Sequence, residues 1–254
     1  MFSDLNSALF ITLLPLLIVG QAILLIWLVV QFGGEGILAN PMLQTAMEKL
    51  RAALPSLAGL PVGEQFQVLL LSQFNFYLLL IPMMIAISFA TFSIVDEKLS
   101  RSLEALLATP VRTWELLLGK ALSGALPALL ITWLCAGVFL LGTVGLGWGH
   151  LLDLVLTPSW FICLFLLTPV VAVLSFMLGI IGSSRARDAK SAQNIVVVIV
   201  LPVLALIGVQ VTGLVWFTPL LTLALALGIG MADIFVLRVA TRLFQRESII
   251  VRWH

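Results

Sequence analysis

Five stretches of this chain run for thirty residues or more without a single Asp, Glu, Lys or Arg: 5–34, 65–95, 121–152, 154–184 and 191–232. A bilayer's hydrocarbon core is crossed by about 20 apolar residues in helical form. In lipid, a helix or a closed barrel alone satisfies every backbone polar group, and runs of this length suit helices. The chain is 61% hydrophobic and only 10% charged, where a soluble domain carries about 25% charged residues. A larger core does not explain that deficit, because a globular chain must still cover its outside. The expected fold is an all-α membrane protein, one transmembrane domain over residues 1–254 with no separate soluble domain.

Four of the runs supply one span each, near 8–30, 70–94, 121–144 and 160–181. The fifth is too long for one helix at about 1.5 Å per residue. Thr212, Gly213 and Pro219 offer a turn inside it, which splits it into spans near 194–211 and 219–240. That makes six transmembrane helices. With both termini on one side, that side holds Lys98, Arg101, Arg112, Lys120, Arg185, Arg187, Lys190, Arg238, Arg242, Arg246 and Arg252, and the other holds Lys49 and Arg51. The positive-inside rule then puts both termini in the cytoplasm. No basic n-region precedes the first run, so a cleaved signal peptide is not expected.

On the outer side, residues 41–54 form an expected amphipathic helix between the first and second spans. Met42, Leu43, Met47, Leu50 and Leu54 recur at helical spacing opposite Glu48, Lys49 and Arg51. Such a helix lies at the interface, caps the bundle, or gates an exit.

The densest charge lies in residues 95–120, VDEKLSRSLEALLATPVRTWELLLGK. The second span ends at Asp96, Glu97 and Lys98. Ser100 or Ser102 can cap a short new helix with Glu104 in its first turn, beside the positive dipole end. Leu103, Leu106 and Leu107 share one face of it. Pro110 stops it, and Thr113 with Glu115 starts the next helix. Physics alone leaves two readings: an interfacial connector whose leucines dip into the bilayer, or a protruding helix that docks in a soluble partner's groove.

The run from Asp96 to Val111, with Glu115 to Lys120 after it, resembles the signature of ABC transporter permeases of the type-2 exporter class. The tail from Leu243 to Ile250 is similar to the family's C-terminal pattern, and the six-span layout fits over the whole chain. Two positions depart from the pattern. Arg101 stands where the family usually has Gly, and Leu99 where it often has Glu, so a flexible joint is lost and a cation gained.

The resemblance implies that the short cytoplasmic helix is a coupling helix seated in a cleft of a separate nucleotide-binding ATPase subunit. Leu103, Leu106 and Leu107 would fill the cleft, Glu97, Arg101 and Glu104 would orient its rim, and Thr109 and Pro110 would close the motif. Arg185, Arg187 and Lys190 would make a second contact, or serve as ordinary positive-inside anchors. The resemblance also implies a dimer with a second permease copy or a homologous permease, in a prokaryotic cytoplasmic (inner) membrane. ATP and Mg would belong to the partner subunit, because no GxxxxGK[ST] occurs here; no cofactor or metal is expected on this chain. The expected function is ATP-driven export, with an amphiphilic or lipid-like cargo favoured by the nearly uncharged spans. The alternative is a non-transporting membrane scaffold whose ATPase partner does conformational work on another protein.

Other polar residues carry weaker expectations. Asp233 lies inside the last span, where acids are costly and usually paired or functional; a pair with Arg238 or a contact to a neighbouring span is expected, against a role in ion or proton movement. Gln67, Ser72, Gln73, Asn75 and Tyr77 make one end of the second span polar, through helix–helix hydrogen bonds or a substrate path. Pro15, Pro82, Pro127, Pro169 and Pro202 fall inside spans as candidate flexing points. Cys135 and Cys163 read as packing residues. The two histidines, His150 and His254, suit no intramembrane protease, and no HExxH is present. Catalytic residues are therefore not expected, and the substrate site is not assigned.

Overall fold

The computed structural model describes residues 5–32, 41–99, 112–185 and 218–243, and every regular element among them is helical. Five segments are long and apolar enough to cross a membrane: Leu13–Phe32, Val62–Ala90, Trp114–Gly145, Pro158–Gly182 and Pro219–Arg242. They coincide with five of the six expected spans. The remaining one, near 194–211, lies outside the described residues.

Helix α1 (Leu5–Phe32) is followed by α2 (Pro41–Ala53), a 3₁₀ turn (Pro55–Gly59) and α3 (Val62–Ser72). Helix α4 (Phe74–Leu99) continues α3 after a break at Gln73. The second span therefore starts a full eight residues before the expected 70, for a local reason. Pro61 sets an extended backbone ahead of the helix, and Glu64 sits in its first turn beside the positive end of the dipole. The break also has a cause. The Ser72 hydroxyl bonds back to Val68 O at 2.7 Å and Leu69 O at 2.9 Å, and the Gln73 amide turns to Leu70 O at 3.2 Å. Serine back-bonding of this kind bends helices.

Helix α5 (Thr113–Gly145) is the longest. It ends in a Schellman motif, with Trp148 N bonded to Thr143 O and Gly147 N to Val144 O, both at 3.0 Å. Gly147 takes the left-handed position at φ 83°, which a side chain would strain. A short α6 (Leu152–Val155) leads to α7 (Pro158–Ile162), a π-turn (Cys163–Leu167) and α8 (Thr168–Arg185). Helix α9 (Pro219–Leu243) closes the described chain.

Helices α4 and α8 form the most extensive pair, α5 packs across both, α1 lies on α5, and α9 lies on α8. Thr168 meets Leu78, and Gly179 meets Ala90, so α4 and α8 run parallel in near-constant register. Small residues set the spacing. A Cβ added to Gly179 would fall 2.6 Å from Ala90 Cβ, and one added to Gly124 of α5 only 1.8 Å from the Phe176 ring. One at Gly142 would meet Ile23 of α1 at 2.8 Å. Helices in lipid associate through such close van der Waals contact, because lipid tails are as apolar as leucine. Phe74 and Phe139 stack across α4 and α5 with centroids 3.7 Å apart. Cys135 and Cys163 are buried free thiols within this packing.

Candidate functional site

Of the residues expected on a coupling helix, Arg101, Leu103, Glu104, Leu106, Leu107, Thr109 and Pro110 lie outside the described residues. Glu97 falls in the last turn and a half of α4, as a helical residue whose side chain is not described. The structure describes what that segment is fastened to. On one side α4 runs from Phe74 to Leu99 as a single helix. On the other, Arg112 is extended (φ −69°, ψ 140°), and α5 begins at Thr113. The Glu115 carboxylate accepts the Arg112 backbone N–H at 3.2 Å, capping the first turn in which it sits.

This cap starts α5 at Thr113, as the sequence leads one to expect, ahead of the membrane span expected from 121. Its first turns project from the packed bundle: Trp114 is 42% exposed, and burial begins at Leu117 and Ala121. The connector 100–112 thus joins two helices packed on each other, and α4 is in turn the main partner of α8.

At the far end of the same helices, α2 seats its apolar face in the protein. Ala46, Met47 and Leu50 are buried in one cluster with Leu57 and Phe66. Arg51 Nε donates to Gln65 Oε1 at 2.6 Å, and Gln65 Nε2 donates to Leu60 O at 2.8 Å. Helix α2 therefore caps the α3 end of the bundle. Gln65 is the residue that fastens it, and only the contact with Arg51 marks it out from its polar neighbours.

Polar groups at this end of the second span differ in how they are met. Ser72 bonds within its own helix, while Gln73 Oε1 and Asn75 Oδ1 are buried without hydrogen-bond partners, as is Trp160 Nε1 of α7. Tyr77 stacks on Phe74 with centroids 5.9 Å apart.

The expected Asp233–Arg238 pair is not made. Asp233 Oδ1 is buried with no hydrogen-bond partner, whereas Arg238 is exposed. Five residues on a helix place two side chains about 140° apart around its axis, outside the three- and four-residue spacings that let pairs meet. Asp233 instead shares the inward stripe of α9 with Thr222, Ala226 and Ala240, all buried. Gly230 on that stripe faces Val170 of α8.

Two further residues escaped the sequence reading, Trp133 and Thr168. Both donate to backbone carbonyls of other turns or helices in mid-span. Nothing in their neighbourhoods distinguishes them, because their acceptors lie 31 and 90 residues away.

Comparison with known proteins adds one match. A family model described as ABC-2 family transporter protein covers residues 6–243. No curated protein and no solved structure matches the chain.

Proposed function

The chain belongs to the ABC-2 transporter family, and from that premise we propose that it is the permease subunit of an ATP-driven exporter. The family match over residues 6–243 carries this reading. As an integral membrane permease the chain is a transport component and not itself catalytic. In the proposed assembly two permease chains recruit two nucleotide-binding ATPase subunits, which hold ATP and Mg. Both termini and the connector face the cytoplasm, in a prokaryotic inner membrane.

The connector 100–112 is the proposed contact with the ATPase. Leu103, Leu106 and Leu107 enter its cleft, while Glu97, Arg101 and Glu104 set orientation at the rim, where charge governs specificity more than affinity. Closure of the ATPase pair displaces the connector, and α4 and α5 carry that displacement into the spans as a rigid-body movement. Two described features support the route: the capped start of α5 and the single α-helix from Phe74 to Leu99, whose connector-side half lies beyond Pro82. The cargo is proposed to be amphiphilic or lipid-like, since the five described spans expose leucine, phenylalanine and methionine and almost no charge.

The test is co-purification with the ATPase, comparing wild type with L103D/L107D. Burying unpaired aspartates in an apolar cleft costs about 3 kcal/mol or more, roughly a hundredfold in association. The double variant is expected to insert normally and lose its partner. Equal recovery of the partner by both proteins would remove the leucine face from the interface. Flux into vesicles reconstituted with both subunits then separates an exporter from a scaffold, which would turn over ATP with no movement of solute.

A further inference from the structure

Several helix irregularities meet at one depth of the bundle. Pro82 lies inside α4 and has no N–H, so Leu78 O, one turn back, loses its regular donor. On the neighbouring helix the π-turn sends the Thr168 N–H to Cys163 O, five residues back. Leu164 O therefore loses its α-helical donor, and Pro169 removes the donor of Phe165 O. Open carbonyls in the hydrocarbon region are expensive, and two of these three are met from elsewhere. The Thr168 hydroxyl lies 3.3 Å from Leu78 O and 2.7 Å from Cys163 O. Trp133 Nε1 of α5 donates to Leu164 O at 3.4 Å.

A hydroxyl has one proton and serves one of its two acceptors at a time. Cys163 O already holds the Thr168 N–H, whereas the regular donor of Leu78 O is missing. Rotation of a single O–H thus decides whether the break in α4 is closed against α8 or left open. The register of the two helices puts Pro82 and Pro169 within about one turn of each other in height. Toward the connector from that level, Gly179 lets the α8 backbone touch Ala90 and Ile87 of α4. That contact has no side chain long enough to slide, so the two helices are joined there.

We infer that Pro82 and Pro169 form a paired hinge about which the connector-side halves of α4 and α8 swing as one body, with the Thr168 hydroxyl as its latch. With the Thr168 O–H turned to Leu78 O the hinge is closed; with it turned to Cys163 O, α4 is released. Trp133 holds the π-turn to α5, so the joint is fastened to both helices that leave the connector. The part this hinge plays in transport rests on the permease reading, whereas the hinge itself is a property of the isolated chain.

The experiment is hydrogen-exchange mass spectrometry on the purified chain in detergent, without any ATPase. Thr168→Val keeps the shape and removes the donor. It is expected to speed exchange roughly three- to tenfold in residues 79–86 and 163–172, from the worth of hydrogen bonds between membrane helices. Thr168→Ser is expected to stay near wild type. Pro82→Ala restores a backbone N–H for Leu78 O, so exchange in 79–86 should fall below wild type, and Thr168→Val should add little in that background. Trp133→Phe should speed exchange at 163–172 and leave 79–86 unchanged. Acceleration spread over the whole of α4 and α8, or a Thr168→Val effect undiminished by Pro82→Ala, would overturn the latch. Should Thr168→Val fail to fold, Pro82→Ala alone decides, since unchanged exchange at 79–86 would mean that Leu78 O had no shortage of donors.

Discussion

The α4–α8 pair and the flanking helices α1 and α9 use the same residue types and are packed in opposite ways. In the most apolar part of Val62–Ala90, 71% of residues are buried, and in Pro158–Gly182 56%. The corresponding shares are 17% in Leu13–Phe32 and 11% in Pro219–Arg242. Apolarity does not separate the two classes. What separates them is shape. Gly179 and Ala90 let α8 and α4 approach until the α8 backbone lies against the backbone of Ile87. Leu220, Leu227, Met231 and Phe235 of α9 instead stand clear of the bundle. Glycine content alone misleads here: Gly179 is in close contact, whereas a Cβ at Gly228 of α9 would meet nothing within 4 Å. In lipid, burial follows from complementary surfaces, because solvent supplies little drive to bring apolar helices together.

Three substitutions test that contrast. The largest effect is expected from Phe139→Ala, which removes a fully buried ring stacked on Phe74. A loss of about 3 kcal/mol is expected, at the lower end for buried phenylalanine because the lipid-transfer part is small. A melt of the detergent-purified chain reads it, and an unchanged midpoint would mean that the α4–α5 contact is not a core. Gly179→Ala comes next, at about 1–3 kcal/mol from overpacking against Ala90. Adding Ala90→Gly should restore most of the loss, since the remaining neighbours of the new methyl lie at 3.6 Å. Without that rescue, the close approach of α4 and α8 would not be the cause. The smallest effect belongs to Leu227→Ala on the exposed face of α9, expected within about 0.5 kcal/mol. A shift as large as that of Gly179→Ala would show that α9 is packed against something in the purified particle, and the contrast would narrow.

Legibility in the sequence followed the range of the physics involved. Five spans were readable because uncharged runs and their bounding charges are local. So was α2, whose Met47 and Leu50 occupy the buried face that their spacing predicts. The start of α5 was readable too, since Thr113 and Glu115 mark the helix eight residues before the apolar run that marks the membrane. Of the two structural readings of Asp233, the pair with Arg238 is not formed, since five-residue spacing turns Arg238 away. The role expected of the connector came only through resemblance to a family, and the match over residues 6–243 bears out the family. The prolines were visible as candidate joints. Thr168 was not, because a hydroxyl that completes Leu78 O is defined by a register ninety residues long.

The sequence by itself therefore determined that the chain is a helical membrane protein, where its apolar helices run, and to which family it belongs. Each of those follows from composition and order along the chain. Only the tertiary structure decided which helices form the centre, which glycines are contacts, and which carbonyls freed by proline find a donor. Those outcomes depend on surfaces brought together from distant parts of the chain. In a solvent as apolar as the side chains themselves, fit between such surfaces is what remains to choose among arrangements.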